Sequence, residues 1–351
     1  MKVKNSIFVI RSSIKPDKTC HLKIAENRRT LNFLIKAIIV IFLLWAFYRQ
    51  LFARKNIEEI TQAMDNLVKP DLFIFLGLAI VLMPLNWGLE SEKWRQLMAP
   101  FLPVSFRKAM RAILAGVTIS IFTPNRIGEY GGRILEVEAR YNWKGVLATL
   151  VGSLSQLIVL LSFGMAGALY YLHKFEMVDA YVLSSSIFVG STLILLMALI
   201  YFNVDMALPL VRKLPLGKWK RPVFKQLLML RQYNNILLAK VLILSLLRYL
   251  VYCFQYYLML RFFGINISLI LALSGIATIF LVQTSVPLPM VVGLLVRGEI
   301  ALTVWGNTGA GELAVLAATF SLFIINLSVP ALLGLVIIVR TNVLKSLGYA
   351  K

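Results

Sequence analysis

The chain has 351 residues, of which 59% are hydrophobic and 15% charged; a soluble domain carries about 25% charged residues, so an ordinary water-soluble globule is excluded. The formal net charge of +21, from 37 Lys and Arg against 16 Asp and Glu, raises nucleic-acid binding, but the basic residues cluster beside apolar runs, which assigns them to membrane topology. Apolar runs of about 20 residues recur, and the alternating period of a lipid-facing barrel is missing. The fold class is therefore all-α, a polytopic transmembrane helix bundle.

In chain order, residues 1–30 carry eight basic side chains (Lys2, Lys4, Arg11, Lys15, Lys18, Lys23, Arg28 and Arg29), and their apolar stretch Ile7 to Ile10 is too short for a signal-peptide core. They read as a cytoplasmic tail held near anionic lipid. Full spans are expected at 31–52, 72–90, 145–171, 181–203, 236–260 and 312–339. Between the first two, Ile57, Ile60, Met64, Leu67 and Val68 recur at helical spacing among charges, so 53–71 reads as a helix on the outer membrane surface. Two further apolar stretches, 109–123 and 267–286, each run into a cluster of Pro, Gly, Arg and Glu. Trp45, Trp87, Trp94, Trp143, Trp219 and Trp305 fall near expected span ends or loops and read as interfacial anchors.

Positive-inside counting decides how those two stretches are used. If 109–123 crossed without returning, 204–235 would carry Arg212, Lys213, Lys218, Lys220, Arg221, Lys225 and Arg231 outside. A re-entrant unit over 105–144 restores them to the cytoplasm. A second unit over 267–306, entering and leaving on the outer side, then places Arg340, Lys345 and Lys351 inside as well. Parity leaves open whether this second unit is re-entrant or a pair of short spans. The layout is a single transmembrane domain over 31–340, with the two broken units in an inverted arrangement, a short tail over 341–351, and both termini cytoplasmic in the cell membrane.

The first cluster reads Thr123-Pro124-Asn125-Arg126-Ile127-Gly128-Glu129-Tyr130-Gly131-Gly132-Arg133. A half-helix of about 15 residues rises roughly 22 Å and carries this turn deep into a core of about 30 Å. Pro124 ends the helix, while Gly128, Gly131 and Gly132 permit backbone geometries that expose amides suited to an anion. The second cluster holds Gln283-Thr284-Ser285, Pro287, Pro289, Gly293 and Arg297-Gly298-Glu299. Broken helices entering from opposite faces are where transporters place substrate groups.

Charge at membrane depth costs about 2.5 to 3.5 kcal/mol on insertion scales and tends to be paired or functional. Arg248 joins the set, because it lies mid-span, whereas Lys240 reaches the cytoplasmic surface by snorkelling. Arg126, Arg133, Arg248 and Arg297 against Glu129 and Glu299 leave two positive charges over, which a phosphate-bearing headgroup would neutralise. The competing reading is structural: Arg126 with Glu129 and Arg297 with Glu299 as ion pairs that pin the turns, and Arg133 facing cytoplasmic water. Ser153, Ser155, Gln156, Gln255 and Asn326 read as helix-joining hydrogen-bond groups, and Glu136, Glu138 and Arg140 as a solvated return segment.

No spacing of Cys20, Cys253, His21 or His173 suggests a disulfide, a metal site or a catalytic triad, so neither cofactor nor metal nor catalytic residue is expected. The run Thr123-Pro124-Asn125-Arg126-Ile127-Gly128-Glu129 with Arg133, followed downstream by the Pro-rich turn and Arg297-Gly298-Glu299, resembles the lysylphosphatidylglycerol synthase transmembrane-region, or flippase-like, family over about residues 30–345. The resemblance implies movement of lipids or lipid-linked sugars between leaflets. It carries no expectation of lysyl transfer, because the soluble aminoacyl-transferase domain of the bifunctional synthases does not follow in this sequence. The expected partner is a membrane lipid, anionic or polyprenyl-phosphate-linked, and not nucleic acid; oligomeric state stays open. Two other classes remain: a membrane enzyme acting on a lipid phosphate with Glu129 or Glu299 as general base, and a scaffold recruiting partners through its basic loops.

Overall fold

In the computed structural model the described residues are 70–121, 123, 126–204, 224, 226–285 and 290–340. The expected span at 31–52, the surface helix up to residue 69, both tails, and Pro124, Pro287 and Pro289 lie outside them. Among the described residues every regular element is helical. The helices are α1 (Phe73–Met98), α2 (Phe106–Ile121), α3 (Gly128–Ile134), α4 (Asn142–Lys174), α5 (Ala180–Phe202), α6 (Asn235–Phe262), α7 (Leu269–Ser285), α8 (Met290–Gly306) and α9 (Glu312–Phe323), with a π turn at Ile324–Ser328 leading into α10 (Val329–Arg340). Five stretches are long and apolar enough to cross a bilayer: α1, Ala139–Lys174, α5, α6 and Glu312–Arg340.

Local chemistry fixes the ends of α6. The Asn234 side chain accepts a hydrogen bond from the Leu237 amide at 2.8 Å, capping the first turn. At the other end Gly264 takes φ 76°, and its amide and that of Ile265 donate to the carbonyls of Arg261 and Leu260. That pairing is a Schellman stop, and it needs a residue without a Cβ at the left-handed position.

Contacts between helix ends give the direction of each element. At one face of the bundle the end of α1 meets the start of α4, where Gly145 lies beside Trp94 and Gly152 beside Leu97 and Lys93. Tyr233, just ahead of α6, donates its hydroxyl to the Leu97 carbonyl at that same face. At the opposite face the start of α1 meets the end of α6, with Phe73 edge-on to Phe262 at 5.4 Å. There too Tyr171 of α4 donates to the Val304 carbonyl of α8 and accepts from Asn307.

The pair α2–α3 therefore leaves and returns at the first face, and α7–α8 at the second. Each pair stops part-way. α7 runs antiparallel to α4, with Ala277 against Gly167 and Leu281 against Gly164, so its end at Ser285 falls level with the middle of α4. The broken units enter from opposite faces, and their tips meet near mid-height.

Apolar packing divides at the same height. One buried cluster joins Ala79, Val159, Tyr249, Tyr256, Trp305 and Ile325 towards the second face. The other joins Trp87, Trp94, Ile158, Val241, Tyr233 and Leu327 towards the first. Between them, on α1, α4, α6 and the π turn, sit Asn86, Gln156, Arg248 and Asn326. The helix α5 stands apart: within it only Gly190 and Tyr201 are buried, and Ser184, Ser185, Ser191 and Thr192 turn their hydroxyls onto carbonyls of their own helix. Such self-satisfaction suits a helix surrounded by lipid.

Candidate functional site

The sequence ends the apolar run of the second expected span at Glu90, but α1 continues for two more turns to Met98. It can do so inside the bundle because the charges it carries are neutralised by other helices. Glu90 is 3% exposed and Lys93 1%. One Glu90 oxygen accepts from Lys93 at 2.6 Å and from Arg248 of α6 at 3.0 Å, and the other from Arg133 of α3 at 2.8 Å. A single carboxylate thus ties three cations from α1, α3 and α6.

Around this hub the remaining groups form a chain. Arg133 also reaches Glu129 at 3.1 Å, and Glu129 pairs with Arg126. Arg248 donates through Nε to Asn86 at 3.0 Å, Asn86 donates to Asn326 at 2.9 Å, and the Asn326 carbonyl accepts from the Trp87 indole at 3.2 Å. The Arg248 guanidinium lies 5.1 Å from the centre of the Trp87 ring, a cation–π contact. Asn326 sits in the π turn, where the widened backbone frees helix geometry and functional side chains often gather.

The first broken turn is built differently from the arrangement expected of its glycines. The left-handed conformation falls on Arg126, with φ 58°, a position that costs a non-glycine residue roughly 1–2 kcal/mol. Strain of this kind persists only where its surroundings hold it. The holding contacts are the Arg126–Glu129 pair and the Gly128 amide donating to Thr123 Oγ1 at 2.7 Å. Gly128 and Gly132 lie inside α3, where they let it press onto α2: a Cβ on Gly132 would sit 2.4 Å from the Gly116 Cα, and one on Gly128 2.5 Å from the Ile119 carbonyl oxygen. Gly131 faces open space. Small residues at the contact allow such close backbone approach in lipid.

Two adjoining cavities open on the polar layer, with volumes of about 200 and 260 Å³. Arg126, Gln156, Leu160, Arg248 and Thr284 line both and form their common wall. The ionic cavity adds Glu90, Lys93, Glu129 and Arg133; the other adds Asn86, Trp87, Tyr249, Gln283, Arg297 and Asn326. Each exceeds the share of a single water, about 30 Å³, several-fold.

Five of the six charged residues singled out from sequence therefore share this region: Arg126, Glu129, Arg133, Arg248 and Arg297. Arg297 faces the Phe323 ring at 5.8 Å, and no described carboxylate comes within ion-pair distance of it. Glu299 is exposed on α8 and lines neither cavity, while its neighbour Gly298 is buried within that helix. Arg133 is 3% exposed, so it does not face open water.

Glu90 and Lys93 escaped the sequence reading because they were assigned to the end of a span and to the following loop. Their i, i+3 spacing, four and seven residues beyond Asn86, was the available signal. With them counted, Lys93, Arg126, Arg133, Arg248 and Arg297 face Glu90 and Glu129, a surplus of three positive charges. Among the described residues no group of His, Cys, Asp and Glu could hold a metal ion.

Together these features define a multi-pass helical membrane protein with a charged polar layer at mid-height, reached by two broken helical units. The family can be stated from the sequence match: the model for the lysylphosphatidylglycerol synthase TM region matches residues 33–334, and the chain belongs to that family. No curated protein and no solved structure matches it.

Proposed function

We propose that the protein is a lipid translocase that holds an anionic or polyprenyl-phosphate-linked headgroup at mid-height while the lipid tails stay in the bilayer. The observation that carries this reading is the three-charge surplus around the cavities, where uncompensated charge is costly unless a ligand or water meets it. Family membership supports a lipid-related role. Opposed broken helices around a central site are the arrangement alternating access uses. Arg126, Arg248 and Arg297 would receive the phosphate, while Glu90, Glu129 and Arg133 hold the frame. We place the protein in the cell membrane with both termini cytoplasmic, on the distribution of basic residues.

Glu90 and Glu129 are each engaged by cations, which favours structural and binding roles over general-base chemistry. The test is leaflet exchange of labelled phosphatidylglycerol in proteoliposomes carrying Arg297→Ala or Arg126→Ala protein, with folding checked by size-exclusion profile. At least a tenfold slower exchange is expected. Unchanged exchange by a folded variant removes that residue from the site.

A further inference from the structure

The two cavities differ in what they offer a ligand beyond their common wall. The ionic cavity contains the carboxylates Glu90 and Glu129, but both are bound by Lys93, Arg133, Arg248 and Arg126. Its neighbour is lined by Arg126, Arg248 and Arg297 and by no carboxylate at all. A headgroup bearing an ammonium would therefore meet guanidinium groups and no acidic partner, and like charges brought together at a binding site cost several kcal/mol.

That second cavity instead presents neutral hydrogen-bonding groups without partners. Tyr249 is 5% exposed, and its hydroxyl has no hydrogen-bond partner among the described residues. The Gln283 amide, at the end of α7, also makes no hydrogen bond within the described residues while lining the same space. A buried hydroxyl left unpaired costs about 1–3 kcal/mol, which water or a ligand hydroxyl relieves. Arginines on the common wall and unpaired neutral groups behind them make a bipartite site.

Resting on the headgroup-binding reading above, we infer that the cargo joins a phosphate to an uncharged polyhydroxyl group such as a cyclitol or sugar, and that headgroups carrying an ammonium are rejected. The phosphate sits against Arg126, Arg248 and Arg297. The polyol sits among Tyr249, Gln283, Asn86 and Asn326.

The test is native mass spectrometry of the full-length protein in detergent against phosphatidylinositol, phosphatidic acid, lysylphosphatidylglycerol and phosphatidylcholine. Phosphatidylinositol should bind about tenfold tighter than phosphatidic acid, the gain of roughly two net hydrogen bonds. Lysylphosphatidylglycerol should bind more weakly than either. Gln283→Leu should narrow the preference over phosphatidic acid without weakening phosphatidic acid itself. Water-soluble glycerophosphoinositol at the same concentration should leave the bound lipid in place; displacement by it would make a free polyol phosphate the ligand and overturn the lipid assignment. Equal binding of phosphatidic acid and phosphatidylinositol, or binding of lysylphosphatidylglycerol as tight as either, overturns the polyol inference while leaving a lipid site. If no anionic lipid exceeds phosphatidylcholine, the headgroup reading itself falls.

Discussion

Replacing Glu90 by Gln removes the one charge that three buried cations share. The shape of the side chain is kept, and Arg133 retains Glu129 at 3.1 Å, but Lys93 and Arg248 lose their carboxylate. Within the network of Lys93, Arg126, Arg133 and Arg248, the balance moves from four cations against two carboxylates to four against one. Side-chain exposures of 2% for Lys93 and 4% for Arg133 leave little water to compensate. Breaking a buried pair by removing one partner costs about 3–5 kcal/mol. The expected result is a fall of at least about 5 °C in the thermal midpoint of the detergent-solubilised protein, followed by fluorescence size-exclusion. Adding Lys93→Met to Glu90→Gln should restore part of the loss, because one orphaned cation is replaced by an apolar chain of similar length. A Glu90→Gln midpoint within 1 °C of the parent (the order of error in such assays, about 0.5 kcal/mol) would refute Glu90 as the hub, as would a double variant less stable than the single.

Two further outcomes follow from the first broken turn. Gly132→Ala should lower the thermal midpoint by the equivalent of about 1–3 kcal/mol, since the added methyl meets the backbone of Ala115 and Gly116, while Gly131→Ala, which meets nothing within 4 Å, should be neutral in the same assay. Arg126→Gly relieves the left-handed strain but deletes a cation of the common wall, so lipid binding by native mass spectrometry should weaken by about tenfold or more, with stability changed by less than about 1 kcal/mol.

How much of this was legible in the sequence depends on whether the signal was local. Apolar run length located α4, α5, α6 and the α9–α10 stretch to within a few residues, because lipid forces each such run to close its own hydrogen bonds. The run in α1 was cut short at Glu90, since a charge reads as the end of a span unless its partners are known, and Arg133 and Arg248 lie 43 and 158 residues away. The same limit applied to Asn326 and Gln156. Asn326 does join helices through Asn86, as a lone polar group is expected to, yet both Asn326 and Gln156 also line a cavity whose existence depends on six elements meeting. Gln255, read in the same way, donates to the Ala79 carbonyl and stays away from the cavities. For the glycines the residue type was legible and the role was not: Gly128 and Gly132 are spaced four apart on one helical face, a packing pattern, where the turn chemistry of Pro124 drew the reading elsewhere.

The π turn at Ile324–Ser328 has a consequence for how this chain tolerates length changes. A π turn is an α-helix holding one surplus residue, so deleting any one residue there would let α9 and α10 fuse into regular helix. Everything beyond the deletion would then rotate by about 100°, the angle per residue of a helix with 3.6 residues per turn. Ala331, whose carbonyl accepts from Thr118, and Gly334, which abuts the Leu114 carbonyl, would swing off α2. The surplus residue thus works as a phase shift, letting one continuous rod present Asn326 to the polar layer and a small-residue face to the neighbouring broken helix.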